Sequence, residues 1–452
     1  MLDLAAVDPL SEVQEPPGAL RPAATRLPFP HLPSPEAVDF LQRHLAERWI
    51  VTPRVLERVV EFSDRLNAAA EQGQALLVVG VHRDNFPSLG YLVHGLSERG
   101  VRAFGTYVLH RMDETKPEPF EDIVSCRSSF GVLAEIILRA PNVPVYLQAH
   151  AQRSFLSQLI HSLRPELKIY QEIYDWMDSF VDPAHEAQFE AEGVFSQVDI
   201  QVMRASERYV RTRTSGFIYK DGGEPMARLL GSATVPSLQM MPCPPRSFQL
   251  PPQSPPDGPL RLVHAGQLRS AGSSRAFSDI YAAPLYEDLL SQGLDVSVFP
   301  SATSPQSLEE MFGDYRRLAE REPRAHFMRH LPLRELIDAL HGQYHYGMLL
   351  YHFDPDLIVG KAHLQGALAS KMFVYWAAGL PALVSEELAY MATLVRETGA
   401  GLVVKRSDLA TLGARLQSLD YAELQRRVVA AQQKYHIEHF IPPLCELLTR
   451  TS

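Results

Sequence analysis

Short apolar runs alternate with segments of helical periodicity along almost the whole chain, and this alternation limits the fold more than any other feature. In the first half, ALLVV at 75–79, VPVYLQAH at 143–150, LKIYQEIYD at 167–175 and SQVDIQVMRA at 196–205 are strand-like, and helix-like segments separate them. The same order starts again with LRLVHAG at 260–266. Apolar strands separated by helices are typical of parallel sheets covered on both faces. The sequence therefore predicts an α/β chain with two doubly wound parallel sheets.

A segment dense in proline, MPCPPRSFQLPPQSPPDGP, interrupts the pattern between about 240 and 258. Proline at this density excludes a helix or a central strand, so we interpret the segment as a connection between two Rossmann-like domains facing a cleft. The predicted organisation is a Pro-rich N-terminal arm, an N-terminal domain, a linker, a C-terminal domain and a tail that is helical to its end. The boundaries are 1–35, 36–245, 246–258, 259–420 and 421–452.

Charge and composition exclude some classes of function. The 452-residue chain has 43 Lys and Arg against 53 Asp and Glu, a net charge of −10, which argues against nucleic acid as the main ligand. A small phosphorylated ligand needs only a local group of donors. Cys126, Cys243 and Cys445 lie far apart, as expected of buried thiols in a reducing compartment. The N-terminus is acidic and Pro-rich, unlike a signal peptide, so we expect a cytoplasmic protein.

The stretch ASKMFVYWAAGLP at 369–381 is the strongest candidate for an anion site. Ser370 is a good N-cap, and Gly379 with Pro381 fits a helix stop. A helix that begins after a parallel strand, YGMLLY, presents free N–H groups to anions, and Lys371 adds a full positive charge. The residues alone leave a second interpretation open, in which Lys371 is an ordinary solvated helix residue.

The order of motifs in the second half resembles the nucleotide-sugar domain of GT-B glycosyltransferases, close to family 4. The resemblance covers about 260–415 and includes LVHAGQLRSAG, then ASKMFVYWAAGLPAL, and finally GAGLVVK. In the first half, VYLQAH and KIYQEIYDWMD are similar to the family more loosely. The resemblance implies a glycosyltransferase that moves a sugar from a nucleoside diphosphate sugar to a glycan, lipid-linked or protein acceptor, without a cofactor or a bound metal.

The resemblance also implies the residues of the donor side. Ser370 and Lys371 would hold the donor diphosphate, together with the helix N-terminus. Gly266 would let the backbone approach the phosphates closely. Arg269 or Arg275 would supply a second cation, although the spacing in GQLRSAGSSR is shifted relative to the family.

Acceptor-side candidates follow strands of the first half. By the resemblance, His150 would contact the acceptor or the transferred sugar, and Asp175 would orient the acceptor or act as a base. His82, Arg83 and Asp84 lie in the first strand-to-helix loop, which should face the acceptor. A satisfied core histidine remains the alternative for His150, and an ordinary capped turn is the alternative for the His82 loop.

Two acids expected from the family are absent. The acid that usually bonds the ribose corresponds to Val374, and its partner eight positions earlier corresponds to Gly366. Losing a hydrogen bond to a charged group weakens nucleotide binding by about 1.5–3 kcal/mol, which does not abolish it. Replacement acids could come from Asp354, Asp356, Glu386 or Glu387. A glycosyltransferase-like binding or scaffold subunit without catalysis is therefore the second hypothesis, and a GT-B epimerase or phosphorylase is the third.

Three further patterns are weaker. Asp175 and Asp178 could suggest a metal, but a helix N-cap with a first-turn acid is the simpler interpretation. His341 and His345 could share a helix face, but no third ligand is evident. KDGGEP at 220–225 is typical of a turn, and because it precedes no helical pattern we expect no phosphate site there. We expect a nucleotide sugar as a partner and no nucleic acid, and peripheral contact with a membrane is compatible with a lipid-linked acceptor.

Overall fold

In the computed structural model, residues 27–80, 87–108, 119–253, 257–271, 275–302, 305–351, 353 and 357–449 are described. Their strands form two sheets. The first has seven strands in the order β3-β2-β1-β4-β5-β6-β7, and the second has six in the order β10-β9-β8-β11-β12-β13. The strands are β1 Ala75–Gly80, β2 Arg102–Tyr107, β3 Asp122–Ser125, β4 Val145–Gln148, β5 Ile169–Ile173, β6 Gly216–Tyr219, β7 Ser237–Gln239, β8 Arg261–Gly266, β9 Asp295–Pro300, β10 Ala325–Phe327, β11 Tyr346–Leu349, β12 Ala382–Ser385 and β13 Gly401–Val404.

Every pairing within these sheets is parallel, so the predicted fold class is confirmed. The connecting helices cover both faces. They are α1 Pro35–Glu47, α2 Pro53–Glu71, α3 Pro87–Ser97, α4 Phe130–Arg139, α5 Leu156–Leu163, α6 Met177–Phe180, α7 Glu186–Ala191, α8 Gln197–Arg213, α9 Gly223–Gly231, α10 Ala283–Ser291, α11 Pro305–Arg321, α12 Leu333–Leu340, α13 Lys361–Gly366, α14 Lys371–Ala377, α15 Ala389–Thr398, α16 Leu412–Gln417, α17 Tyr421–Lys434 and α18 Ile441–Thr449.

One predicted strand is a helix. The stretch 196–205 begins α8, because Ser196 and Asp199 form a reciprocal cap. The Ser196 hydroxyl accepts from the Asp199 N–H at 3.1 Å, and the Asp199 carboxylate accepts from the Ser196 N–H at 3.0 Å. The serine and the acid three positions later are the sequence signal for such a helix start. The apolar spacing in this stretch, Val198, Ile200 and Val202, imitates a strand and misled the prediction.

The C-terminal tail is also less regular than predicted. It consists of α17 and α18 with a break at 435–440, rather than one continuous helix. Ile441 and Leu444 of α18 share an apolar cluster with Val78 of β1, so the end of the chain returns to the first sheet. A Cβ added at Gly95 of α3 would lie 2.8 Å from Ile441, which shows how closely the two helices approach.

The largest apolar cluster among the described residues joins the two halves of the chain. Met177, Phe180 and Val181 of the first half pack in it with Tyr375 and Trp376 of α14. The apolar core around α14, the helix that carries the predicted donor site, is therefore continuous with that of the first half.

Two findings bear on the expectations from composition. Among the described residues, none of the helices combines the length and the apolar character needed to cross a membrane. The three cysteines all lie in described segments and form no disulfide. Cys126 and Cys243 are buried, and Cys445 is partly exposed.

Candidate functional site

Gly266 and Lys371 meet at the carboxyl end of the second sheet. Gly266 is the last residue of β8 and has a φ of 123°, which favours glycine. A Cβ at this position would lie 3.1 Å from Cε and 3.2 Å from Nζ of Lys371. The glycine thus leaves room for the lysine side chain, and two of the predicted donor-side residues are neighbours although 105 positions separate them in the sequence.

The Lys371 side chain is held by neutral groups. Nζ donates to the Tyr351 hydroxyl at 2.6 Å and lies 3.3 Å from Nε2 of His264. His264 is part of β8, and Tyr351 follows β11, so the ammonium group is placed where these two adjacent strands end. Burial lowers the pKa of Lys371 to about 7, which the Asp279 carboxylate partly opposes. Burial and the nearby lysine hold the pKa of His264 well below its usual value.

The N-terminus of α14, the helix that carries Lys371, contributes less to anion binding than the sequence suggests. Ser370 occupies the N-cap position of α14, but its side chain makes no capping hydrogen bond and its backbone is already helical. The helix spans only 7 residues. Any attraction for an anion at this place therefore depends on the charge of Lys371 more than on a helix dipole.

The predicted second cation stays a prediction. Arg269 is buried, and its backbone N–H donates to the Ile280 carbonyl at 3.1 Å, which ties the loop after β8 to the short helical turn Arg275–Ile280. The side chain of Arg275 lies outside the described part of the structure. The same holds for His82, Arg83 and Asp84, and for Asp354 and Asp356 among the replacement acids, so nothing structural is added to those predictions.

His150 and Asp175 lie at the carboxyl ends of neighbouring strands, β4 and β5, and both are buried. Oδ1 of Asp175 lies 3.6 Å from Nζ of Lys220 and 3.8 Å from Nε2 of His363. Burial alone would raise the pKa of Asp175, but Lys220, His363 and His150 together hold it well below its usual range. Asp175 is therefore ionised and suited to accepting a hydrogen bond, and it is a weak general base.

Asp175 is not the helix cap that the sequence suggested. Trp176 is the N-cap residue of α6, and Asp175 adopts a φ of 54° that turns its carboxylate towards Lys220. Asp178 points elsewhere, with its carboxylate accepting from Arg211 at 3.1 Å. The two acids of YDWMD thus have different partners.

Sequence reasoning missed Lys220, Asp221 and His363. The segment 220–225 was interpreted as a turn that precedes no helix, which is wrong, because β6 ends at Tyr219 and α9 begins at Gly223. The Asp221 carboxylate accepts from the Leu368 N–H at 3.2 Å. The position of Lys220 and Asp221 could have identified them as candidates. Polar residues directly after a buried strand lie at the carboxyl edge of the sheet, where ligands bind.

Asp175, Asp221 and His363 offer ligand atoms within 4.8 Å of one another and could hold a metal ion by their chemistry. Lys220 already compensates the acids at this place, since its side chain is 15% exposed and its ammonium faces Asp175. Burial raises the pKa of Asp221 to about 6 and lowers that of His363 to about 4. A metal would have to displace the lysine.

The structure adds no support for the weaker metal candidate, His341 with His345, since neither belongs to a group of three possible ligands among the described residues. His341 donates through Nε2 to the Pro251 carbonyl at 2.7 Å, and Nδ1 of His345 accepts from the Arg261 N–H at 3.1 Å. Each ring therefore has a backbone partner.

The positions of the two missing acids lie in packed surroundings. Val374 belongs to the apolar cluster that joins the two halves. Gly366 is buried at the end of α13. Its carbonyl accepts from the Gly222 N–H at 2.9 Å, and a Cβ at Gly366 would lie 2.9 Å from the Gly222 oxygen. A glutamate at position 366 would not fit in this arrangement.

The same part of the second half contacts the first half through its backbone. The Gly360 N–H donates to the Phe180 carbonyl at 2.8 Å, and Val181 and Val359 form an antiparallel bridge. The segment 357–368 therefore lies directly against the carboxyl ends of β5 and β6, and the two sheets are joined there by hydrogen bonds as well as by apolar packing.

Comparison with known proteins gives no match to a family model and no match to a curated protein. Solved structures do match. Anabaena Alr3699/HepE in complex with UDP and glucose is 12% identical, with a TM-score of 0.57 over 84% of this chain and 100% of that one. A glycosyltransferase from Rickettsia africae is 9% identical, with a TM-score of 0.54 over 83% and 99%. The E. coli trehalose-6-phosphate structure bound with UDP-2-fluoro glucose is 12% identical, with a TM-score of 0.53 over 83% and 99%.

At these identities the likeness concerns the fold. It extends over both parallel sheets and almost the whole of each compared chain, which agrees with the resemblance found in the order of the sequence motifs. This chain has the GT-B fold of the glycosyltransferases.

Proposed function

We propose that the protein is a glycosyltransferase that uses a nucleoside diphosphate sugar as donor and a glycan, lipid-linked or protein acceptor. The observation that carries the proposal is the approach of Lys371 to Gly266, because it places a cation against a residue without a side chain at a strand end. The compared Anabaena structure contains UDP and glucose, and the E. coli structure contains UDP-2-fluoro glucose, which supports a uridine diphosphate sugar as the donor to test first.

In the proposed reaction the bond between the sugar and the diphosphate breaks, and an acceptor oxygen bonds to the same sugar carbon. The diphosphate leaves with an additional negative charge, which protonated Lys371 would stabilise. The acceptor loses a proton during the transfer, and the leaving diphosphate takes it up on the oxygen freed from the sugar. Asp175, being ionised, would orient the acceptor hydroxyl through a hydrogen bond, beside His150.

The second candidate is a binding or scaffold subunit with the same fold. Gly366 favours it, because the space for an acid near the transferred sugar is taken by the contact with Gly222. A scaffold subunit of this kind would still bind the donor but would not transfer the sugar. The two candidates therefore have the same fold and differ in catalytic activity.

Titration calorimetry with UDP, UDP-glucose and GDP-mannose tests the donor site. We expect wild type to bind at least one of them and Lys371→Ala to bind at least about tenfold more weakly, since loss of a charge-assisted contact costs about 1.5–3 kcal/mol. Lys434→Ala is the control, because Lys434 is exposed on α17. Equal affinity in wild type and Lys371→Ala would contradict the proposed site.

Release of the free nucleoside diphosphate from a donor that binds separates the two candidates. Release that increases with a suitable acceptor supports the transferase, and binding without any release supports the scaffold. Conversion of the donor sugar in the absence of an acceptor would instead indicate an epimerase.

A further inference from the structure

Lys371 is a cation whose contacts in the described structure are uncharged. The Tyr351 hydroxyl accepts its hydrogen bond, His264 is adjacent, and the ring of Tyr351 lies 5.3 Å from Nζ. None of the described carboxylates forms a salt bridge with it. Such a group loses part of its hydration without gaining a counter-ion, and its proton is bound weakly until an anion arrives.

A buried carboxylate, Asp279, lies close enough to Lys371 for the two charges to interact. Asp279 is 2% exposed and belongs to the helical turn Arg275–Ile280, which the Arg269–Ile280 hydrogen bond joins to the loop after Gly266. Its Oδ1 has no hydrogen-bond partner among the described residues. Burial raises the pKa of Asp279 to about 7, while Lys371 and Arg269 oppose the rise. This carboxyl group therefore holds a proton part of the time at neutral pH.

The other titratable groups around the pair keep one protonation state near neutral pH. Burial and Lys371 keep the pKa of His264 well below its usual value, so the imidazole is neutral. Burial raises the pKa of the Tyr351, Tyr286 and Tyr375 hydroxyls, so these stay protonated. Arg269 is permanently cationic. Among the described residues, Lys371 and Asp279 are thus the two groups at this place that change their protonation near neutral pH.

We infer that binding of a pyrophosphate beside Gly266 is coupled to proton uptake, and that Lys371 and Asp279 receive the proton. This rests on the proposed donor site and adds a regulation to it. The negative charge of the ligand favours the protonated ammonium and the protonated carboxyl alike. With both pKa values near 7, each group is about half protonated at pH 7, so the total uptake approaches about one proton.

One consequence is a dependence of affinity on pH. Above pH 7 the free site has lost protons that the complex requires, so the dissociation constant rises with pH. The rise is about tenfold per pH unit near pH 7, where one proton is taken up, and steeper at higher pH, where both groups are deprotonated in the free site. Below pH 7 the affinity levels off, because the site is already protonated.

The test is calorimetric titration with UDP-glucose at pH 7 in PIPES and in imidazole, two buffers with different ionisation enthalpies. The pyrophosphate of this probe is esterified at both ends and holds no proton near neutral pH, so proton exchange reports on the protein. We expect a difference in heat that corresponds to uptake in wild type and in Lys434→Arg, and a smaller uptake in Lys371→Arg and in Asp279→Asn. The double variant should bind with no uptake.

Equal heats in the two buffers for wild type, or an undiminished uptake in Lys371→Arg, would overturn the inference while leaving the donor site intact. Lys371→Arg keeps the cation, and circular dichroism confirms that each variant is folded. If Asp279→Asn does not fold, Lys371→Arg alone decides. If wild type binds neither UDP-glucose, GDP-mannose nor ADP-glucose, the proposed function itself is wrong and the inference falls with it.

Discussion

Gly222 and Gly366 touch across the two halves of the chain, with the Gly222 N–H donating to the Gly366 carbonyl at 2.9 Å. Neither position has room for a side chain, since a Cβ at Gly222 would lie 2.2 Å from the ring of Tyr390 and a Cβ at Gly366 would lie 2.9 Å from the Gly222 oxygen. The contact fixes the distance between α9 and α13. It also explains why an acid at position 366 is incompatible with this arrangement.

The first prediction concerns that contact. Gly366→Ala should lower the free energy of unfolding by about 1–3 kcal/mol, because the new methyl group overpacks the contact between backbones. Urea unfolding measures the change. Gly90→Ala in α3 is the matched control, since a Cβ there meets nothing within 4 Å, and it should leave stability unchanged or raise it. Equal changes in stability in Gly366→Ala and Gly90→Ala would show that crowding at Gly366 is not the cause.

The second prediction separates backbone strain from contact with Lys371. Gly266→Ala combines a strained φ with crowding of Lys371, so nucleotide affinity should fall by at least about tenfold, or 1.4 kcal/mol. Gly258→Ala has a comparable φ of 104° but open space around its Cβ, so it should share the loss of stability and keep the affinity. Calorimetry and thermal unfolding of both variants supply the two quantities. A similar loss of affinity in Gly258→Ala would show that strain alone is responsible.

The third prediction concerns the buried charge of Asp175. Lys220→Met leaves this carboxylate without its nearest cation, and the expected cost in free energy of unfolding is about 3–5 kcal/mol. The double variant Lys220→Met with Asp175→Asn removes both charges and should regain a large part of that stability. A double-mutant cycle in urea measures the coupling energy. Additive effects would mean that the two side chains do not interact.

The fourth prediction follows from the pKa of Asp221, which burial raises to about 6 from an ordinary value of 3.8. A group with a raised pKa in the folded state contributes stability below its unfolded pKa and loses that contribution as the pH rises through its folded pKa. The stability of wild type relative to Asp221→Asn should therefore decrease between about pH 4 and pH 6, by about 3 kcal/mol in total.

Urea unfolding of both proteins at several pH values measures this difference. Comparing the two proteins removes the contributions of Glu172 and Glu207, whose pKa values burial also raises, to about 7 and about 8. If the difference in free energy of unfolding between wild type and Asp221→Asn stays constant from pH 4 to pH 7, the pKa of Asp221 is not raised by burial.

The sequence by itself determined the class of fold and predicted that Gly266 and Lys371 lie at the same edge of the second sheet. Apolar runs such as 75–79 and 260–266 predict buried parallel strands because such strands are apolar along their whole length, whichever neighbours they pair with. The order of motifs from Gly266 to Lys371 also identified two residues that lie together, since parallel strands end at the same edge. At 196–205 the apolar spacing predicted a strand, but the reciprocal cap of Ser196 and Asp199 starts a helix there.

Only the tertiary structure decided how the two halves meet. The neighbours of Asp175 come from β6–α9 and from α13, and no local pattern predicts that Lys220, Asp221 and His363 converge on it. The uncharged surroundings that weaken the hold of Lys371 on its proton are likewise supplied by separate strands. Local sequence determines whether a chain segment forms a helix or a strand. The burial of a side chain and the charges around it depend on which distant segments pack against it. Burial and nearby charges govern the chemistry of this site.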